Sequence, residues 1–297
     1  MSVSEVGLSA MIADIAPGAT ARRVRPMSGG LAAATYAVDT SAGEVVVKVY
    51  PPGHEGAQLE WDGLNFAQRV VGVPRPEPIA LDVEGRWFGS PTVVMSRLPG
   101  RGDVSPADLD GWLKQIAHAL AAIHETDIAG ASGCLLRPAW GNRAPGIIET
   151  VQRSALVERC VEAIRRHLPA PGSAPILMHG DFHPGNIIWR DGTLTGVLDW
   201  GGTRLGSRWF DLAYCRGDVA LLFGMRGVRI LTEHYVSIAG RSPVDLPVFD
   251  LMCGLAARQL GAQWLRAFRH QGCTDTPRQF AARVTPFLRQ ALAELGA

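Results

Sequence analysis

Apolar residues recur at every second position in two early runs, Thr35-Tyr36-Ala37-Val38-Asp39 and Glu44-Val45-Val46-Val47-Lys48-Val49-Tyr50. A period of two places alternate side chains on opposite faces of a strand, and valine suits that pleated surface. Thr40-Ser41-Ala42-Gly43 between them reads as a hairpin turn. A further strand is predicted over 21–26, followed by the glycine-bearing turn Met27-Ser28-Gly29-Gly30-Leu31. Over 53–71 the period lengthens: Ala57, Trp61, Leu64, Ala67 and Val71 form one helical stripe. Thr92-Val93-Val94-Met95-Ser96 is an apolar strand, and it runs into the break Leu98-Pro99-Gly100-Arg101-Gly102.

Beyond that break helical periodicity dominates. Ser105-Pro106-Ala107-Asp108 reads as a helix start, with serine as N-cap and proline at the first helical position. The stripe Trp112, Ile116, Leu120, Ile123 carries the helix to about residue 124. His118 and His124 on it read as core or surface residues. One or two helices are predicted over 147–168. Proline and glycine at 171–175 then precede a short strand at 176–178, a loop, a strand at 187–189, the turn Asp191-Gly192 and a strand at 195–198. Three helical patterns follow, over 228–239, 247–268 and 277–295. On them Leu251/Leu255 and Trp264/Phe268 stand at i,i+4, as core pairs do. The chain is thus predicted to be α+β, with a small strand-rich lobe at 1–98 and a mainly helical lobe at 99–297.

Composition narrows the classes. The 297 residues are 47% hydrophobic and 19% charged, as in a globular chain with an ample core. A net charge of +1 gives no reason to expect nucleic acid or a membrane surface as partner. There is no apolar run of membrane-spanning length. The N-terminal stretch carries acids rather than a basic flank and apolar run, so no secretory leader is expected. The five cysteines (Cys134, Cys160, Cys215, Cys253, Cys273) are scattered and never form CxxC, which suits reduced thiols in the cytoplasm.

The chemistry concentrates in His179-Gly180-Asp181-Phe182-His183-Pro184-Gly185-Asn186, followed thirteen residues after Asn186 by Asp199-Trp200-Gly201. Kinases that act on a hydroxyl use an Asp to accept the proton, an Asn five residues later to hold a metal, and a second Asp ahead of a glycine to bridge metal and nucleotide phosphates. Asp181, Asn186 and Asp199 match in order and spacing, with Mg2+ as the implied metal. Lys48 lies inside an apolar strand. Glu60 lies on the buried stripe of the 53–71 helix, where an unpaired carboxylate is costly. Each is the other's expected partner, with Glu55 as the alternative, and Lys48 would steady the phosphates. Ser28, Gly29 and Gly30 could cover those phosphates with backbone N–H groups. His179 and His183 make an HxxxH, but Pro184-Gly185 breaks any helix there and no third ligand stands out, so zinc is disfavoured against a structural His179.

His-Gly-Asp-x4-Asn followed by Leu198-Asp199-Trp200 resembles the aminoglycoside phosphotransferase family, which includes macrolide, homoserine, choline and fructosamine kinases. Glu60-Trp61-Asp62-Gly63-Leu64 and Val71-Gly72-Val73-Pro74-Arg75-Pro76 resemble its helix and following loop. The resemblance implies a two-lobed, protein-kinase-like fold and a small-molecule hydroxyl acceptor phosphorylated from ATP or GTP. It implies a hinge where adenine is held by the Ser96 C=O and Leu98 N–H. It gives Asp211 the role of tying down the catalytic loop, and makes the last helices the acceptor wall. One departure is Gly206-Ser207-Arg208, where the family commonly has Gly, an acid or Asn, then Pro; Arg208 near the cleft could touch phosphate or an anionic substrate, but reads rather as a solvated residue. A protein kinase is disfavoured, because no Ala-Pro-Glu follows and Asp211 stands only twelve positions after Asp199. The rival from another class is a pseudokinase that binds nucleotide without catalysis. From 212 to 297 there are six acids and ten arginines, so the acceptor is expected to be neutral or weakly charged, not a polycation.

Overall fold

The computed structural model describes residues 3–27, 32–131, 135, 149–168 and 175–297. The turn holding Ser28, Gly29 and Gly30 lies outside them, as do Cys134 and the start of the helix predicted over 147–168.

A helix that hydrophobic periodicity did not announce comes first, α1 (Glu5–Ile15), with the Ser4 hydroxyl accepting from the Gly7 N–H at 3.2 Å. Five strands follow around one helix: β1 (Ala21–Met27), β2 (Ala34–Thr40), β3 (Gly43–Val49), α2 (Gly56–Ala67), β4 (Pro78–Asp82) and β5 (Thr92–Ser96). They form an antiparallel sheet in the order β1-β2-β3-β5-β4. Alternation along β3 decides which residues meet which layer. Val47 and Val49 pack with Leu8, Met11 and Ile12 of α1. Lys48 therefore points to the opposite face, where Ala57 and Leu64 of α2 pack against Val93 and Met95.

The remainder is mainly helical: β6 (Arg101–Gly102), α3 (Leu109–His124), α4 (Ala155–His167), β7 (Ile176–Met178), β8 (Ile187–Arg190), β9 (Thr193–Val197), β10 (Arg204–Gly206), α5 (Arg208–Ala239), α6 (Leu246–Arg269), α7 (Pro277–Ala282) and α8 (Val284–Glu294). β6, β8 and β9 make one small sheet, and β7 pairs with β10. One core runs from Leu64 of α2 through Trp200 to Leu113, Ile116 and Leu120 of α3; a second joins α4 to α6, α7 and α8. Leu251, Leu255 and Phe268 are buried in that second core, with Trp264 packed against it. Among the described residues no helix is long and apolar enough to cross a membrane.

Several boundaries differ from the sequence reading. The cap of α3 is Asp108, whose carboxylate accepts from the Gly111 N–H at 3.1 Å, and not Ser105. Ser105 is drawn away: its hydroxyl donates to the Gly272 carbonyl at 2.7 Å, beside the Val104 N–H bond to Gln271 O at 2.9 Å. The pattern over 228–239 is only the second half of α5, whose path bends at Gly224 (φ 64°, ψ −163°). The pattern over 277–295 divides at Arg283, whose guanidinium bonds the Leu221 and Leu222 carbonyls and Asp275.

Candidate active site

The loop between β7 and β8 is built from its backbone outward. The Asp211 carboxylate, in the first turn of α5, accepts from the His179 N–H at 2.7 Å and the Gly180 N–H at 2.9 Å. Gly180 has φ 78°, and a Cβ there would lie 2.0 Å from the Gly202 carbonyl oxygen, so no larger residue fits. The His179 ring spans the loop: Nε2 is 3.1 Å from the Leu198 carbonyl and Nδ1 accepts from the Asp181 N–H at 3.3 Å. His179 and Asp211 thus both bond the loop's backbone.

Asp181 and Asn186 meet directly. Asn186 Nδ2 donates to the Asp181 carbonyl at 3.0 Å and to its Oδ2 at 3.1 Å. With its amide protons used there, Asn186 has its Oδ1 to offer. The Leu198 N–H bond to Asn186 O, at 2.8 Å, brings the end of β9 beside this loop. Asp199 follows in the left-handed region (φ 65°, ψ 64°), unusual for a residue with a side chain and common where function holds a strained backbone.

Lys48 connects the two halves of the molecule. Its Nζ lies 2.8 Å from Glu60 Oε2 and 3.0 Å from Asp199 Oδ1. Glu60 has 0% exposure and its other oxygen accepts from the Trp200 N–H at 3.2 Å, while Asp199 is 42% exposed and opens to the cleft. The two carboxylates divide accordingly. Burial pushes Glu60 up to about 7 against the pull of Lys48, whereas Lys48 holds Asp199 below the ordinary carboxylate range. Burial disfavours the ammonium of Lys48, but Asp199 and Glu60 together keep it well above its usual value. Glu55, the alternative partner, stands exposed at the N-cap of α2.

Other residues enter the site that the sequence reading did not assign there. His183 Nδ1 lies 3.0 Å from Asp218 Oδ2, and the Tyr214 hydroxyl bonds Asp181. The Gly185 N–H also donates to His183 Nδ1 at 3.2 Å, so this nitrogen faces both a backbone donor and the Asp218 carboxylate. Behind Asp211, His124 bonds the Tyr235 hydroxyl at 2.6 Å and Asp211 at 3.3 Å. His124 is therefore a core residue with a polar partner. Arg208 is not solvated: its side chain is 14% exposed and bonds Glu125 at 3.1 Å. A signal was present for part of this set, since Asp211, Tyr214 and Asp218 stand at i, i+3 and i+7, one face of a helix. Ser96 and Leu98 sit apart from the charged cluster. The Ser96 hydroxyl accepts from the Glu77 N–H at 2.8 Å, and Leu98 packs over Gly196.

A lysine bridging a helix carboxylate and an Asp beside an Asp–Asn loop is the layout of a phosphoryl-transfer site. The sequence model of the phosphotransferase enzyme family (APH) matches residues 23–236. The chain belongs to this family. A homoserine kinase of Polaromonas naphthalenivorans is 24% identical over 220 residues, which is 66% of this chain and 65% of that protein. A putative aminoglycoside phosphotransferase of Ralstonia eutropha JMP134 superposes with a TM-score of 0.71 at 15% identity, covering 98% of this chain and 97% of that one. A thermostable mutant of aminoglycoside phosphotransferase APH(4)-Ia, in ternary complex with ADP and hygromycin B, superposes with a TM-score of 0.67 at 16% identity, covering 97% and 98%. These neighbours share the kinase-like fold.

The donor set fits magnesium. Asn186 Oδ1 and Asp199 are hard oxygen donors, and Mg2+ in nucleotide sites takes one or two protein oxygens with phosphates and water completing the shell. Among the described residues no group of three or more His, Cys, Asp or Glu is arranged to hold a metal, so any metal here would rely on such outside oxygens.

Proposed function

We propose that the protein is a magnesium-dependent small-molecule kinase that moves the γ-phosphoryl group of ATP or GTP to a hydroxyl of an antibiotic or metabolite. The observation that carries this reading is the bridge from Lys48 to Glu60 and Asp199 beside the Asp181–Asn186 pair. In the proposed reaction Asp181 orients the acceptor hydroxyl and takes its proton. The hydroxyl oxygen bonds phosphorus, the bridging oxygen leaves, and a nucleoside diphosphate departs. Lys48 sets its charge against the phosphates while Glu60 fixes its position. Asn186 and Asp199 would hold magnesium, which when bound neutralises phosphoryl oxygen charge. Ser28, Gly29 and Gly30 would cover the phosphates, and the main chain at Ser96 and Leu98 would hold the base. The four described cysteines are buried free thiols, which suits a cytoplasmic protein.

The acceptor we expect is neutral or weakly charged. The neighbours' names differ on this point, homoserine in one and hygromycin B in another, so the site's own charges must choose. Four of the six acids beyond Asp211 have charged partners within the chain: Asp218 with His183, Asp250 with Arg216, Asp275 with Arg283, Glu233 with Arg229. A polycation would have to compete with them. The test is nucleotide consumption against a panel of hydroxyl compounds, repeated with Asp181→Asn. The substitution should leave nucleotide binding within a few-fold and lower turnover by roughly 10²–10⁴, the range for a positioned general base. Near wild-type turnover in the variant would remove Asp181 from the mechanism.

A further inference from the structure

The loop that carries Asp181 and Asn186 has a tether to which the reading above gives no role. Gln271 stands just past the C-terminal end of α6, and its Nε2 donates to the Gly185 carbonyl at 3.0 Å. Gly185 is the residue before Asn186, inside the tight turn Pro184–Asn186. The Phe268 ring closes on the same glycine, since a Cβ at Gly185 would lie 3.3 Å from it. Two side chains at the end of α6 thus hold Gly185, one by its carbonyl and the other by its Cα.

Gln271 is itself fixed on both sides. Its N–H donates to the Phe268 carbonyl at 2.9 Å, and its own carbonyl accepts from the Val104 N–H at 2.9 Å. The next carbonyl, of Gly272, accepts from the Ser105 hydroxyl at 2.7 Å. The segment 102–105, which leads from the first sheet to α3, is therefore anchored to the same turn as the loop. The Gln271 side chain crosses Gly102 on its way: a Cβ on Gly102 would lie 2.5 Å from Gln271 Cδ. Gly102 is not in the left-handed region, so its backbone makes no demand for glycine; the crossing side chain does.

The loop also sets which way the amide faces. Turned over, it would place its oxygen against the Gly185 carbonyl oxygen. As it stands, Oε1 is buried and bonds nothing among the described residues. A buried acceptor left unpaired costs stability, and an apolar side chain of the same length avoids that cost. The amide therefore serves through the bond that Nε2 makes. That bond ends one residue from Asn186, whose Nδ2 grips Asp181 at its carbonyl and at Oδ2. A misplacement of about 1 Å between reacting groups can cost roughly a hundredfold in rate.

We propose that Gln271 is a positioning residue of the transfer reaction. Through Gly185 it sets Asn186, through Asn186 it sets the Asp181 carboxylate, and it ties both to the segment at Gly102. Its effect on rate rests on the reading of Asp181 as the group that receives the hydroxyl; its effect on the placement of the loop does not.

The full chain is compared with Gln271→Met, which keeps the length of the side chain and removes the donor. In NMR spectra the Nδ2 proton signals of Asn186 and the amide signal of Asp181 should move, while the amide signals of Ile116 and Trp200 stay. The urea midpoint should not fall. The kcat should fall at least fivefold with KM for nucleotide unchanged within twofold, a split that general loss of structure does not give. Gly102→Ala should obstruct the crossing and move the same Asn186 and Asp181 signals, but should add nothing once Gln271→Ala has cleared it. If Gln271→Met does not fold, Gly102→Ala with and without Gln271→Ala carries the comparison. Unmoved Asn186 and Asp181 signals, an unchanged kcat, or a Gly102→Ala effect that persists beside Gln271→Ala overturns the proposal. A wild-type chain that transfers phosphoryl to no compound of the panel defeats the kinase reading, and the NMR comparison then decides the tether alone.

Discussion

Glu60 has no exposed surface, and the cation it relies on, Lys48, also serves Asp199. A buried carboxylate with its partner removed is left uncompensated, and breaking such a pair typically costs about 3–5 kcal/mol. The same pair sets where the ammonium points, so the two side chains act as one unit toward nucleotide. Lys48→Ala and Glu60→Ala should therefore be non-additive in kcat/KM for nucleotide, the double variant losing much less than the sum of the singles. A double variant whose loss equals that sum would mean that the residues work independently.

Glu60 is only as well placed as the helix that carries it. α2 approaches the segment after Asp199 so closely that a Cβ on Gly63 would lie 2.0 Å from the Trp200 carbonyl oxygen. That approach is what lets the Trp200 N–H reach Glu60. Gly63→Ala should push α2 outward, lowering stability by about 1–3 kcal/mol, as overpacking does. It should also raise the KM for nucleotide, because Glu60 moves with the helix. Denaturant unfolding and nucleotide kinetics check both; an alanine variant with unchanged stability and KM would show that this contact is not what seats α2. α5 supports the other side of the site in a similar way, since its first turn supplies Asp211 and its next two turns supply Tyr214 and Asp218.

Over the whole molecule, the buried histidines make stability depend on pH in two opposite senses. Burial holds His124 and His179 below their usual 6.5, although Asp211 pulls the other way. Unfolded chains take up those protons below about pH 6.5, so stability falls as pH drops below it. His183 is raised to about 9, so its contribution is complete below about pH 6.5 and is lost as pH rises from there through about 9. Burial also pushes Asp218 up, a cost that does not change with pH once the group is ionised, so the alkaline loss of about 1–3 kcal/mol comes from His183. Glu60 and Asp250, raised by burial to about 7 and about 6, hold protons more tightly folded than unfolded, so their contribution to stability falls as pH rises toward those values. Urea unfolding should thus show a decline between pH 7 and 9, and Asp218→Asn should remove most of it. A wild-type stability that is level or rising over that interval would show the His183–Asp218 pair to be without net effect.

What the sequence determined by itself was local. A period of two in β3 fixed that Lys48 faces away from Val47 and Val49, and a stripe of 3.6 put Glu60 on the buried face of α2. The loop from His179 to Asn186 is contiguous, so the spacing of its residues was legible and Asp181 meets Asn186 as that spacing allows. The tertiary structure decided the long-range pairings. Lys48 reaches Asp199 across 151 positions and His124 reaches Tyr235 across 111. It also moved the start of α3 from Ser105 to Asp108, because Ser105 found a partner at Gly272. It enlisted His183, whose meaning depends on the face of α5 that Asp218 occupies. Periodicity and turn chemistry say which way a side chain points along its own element. Which buried polar group it meets depends on how distant elements pack, and one chain's local pattern does not carry that information.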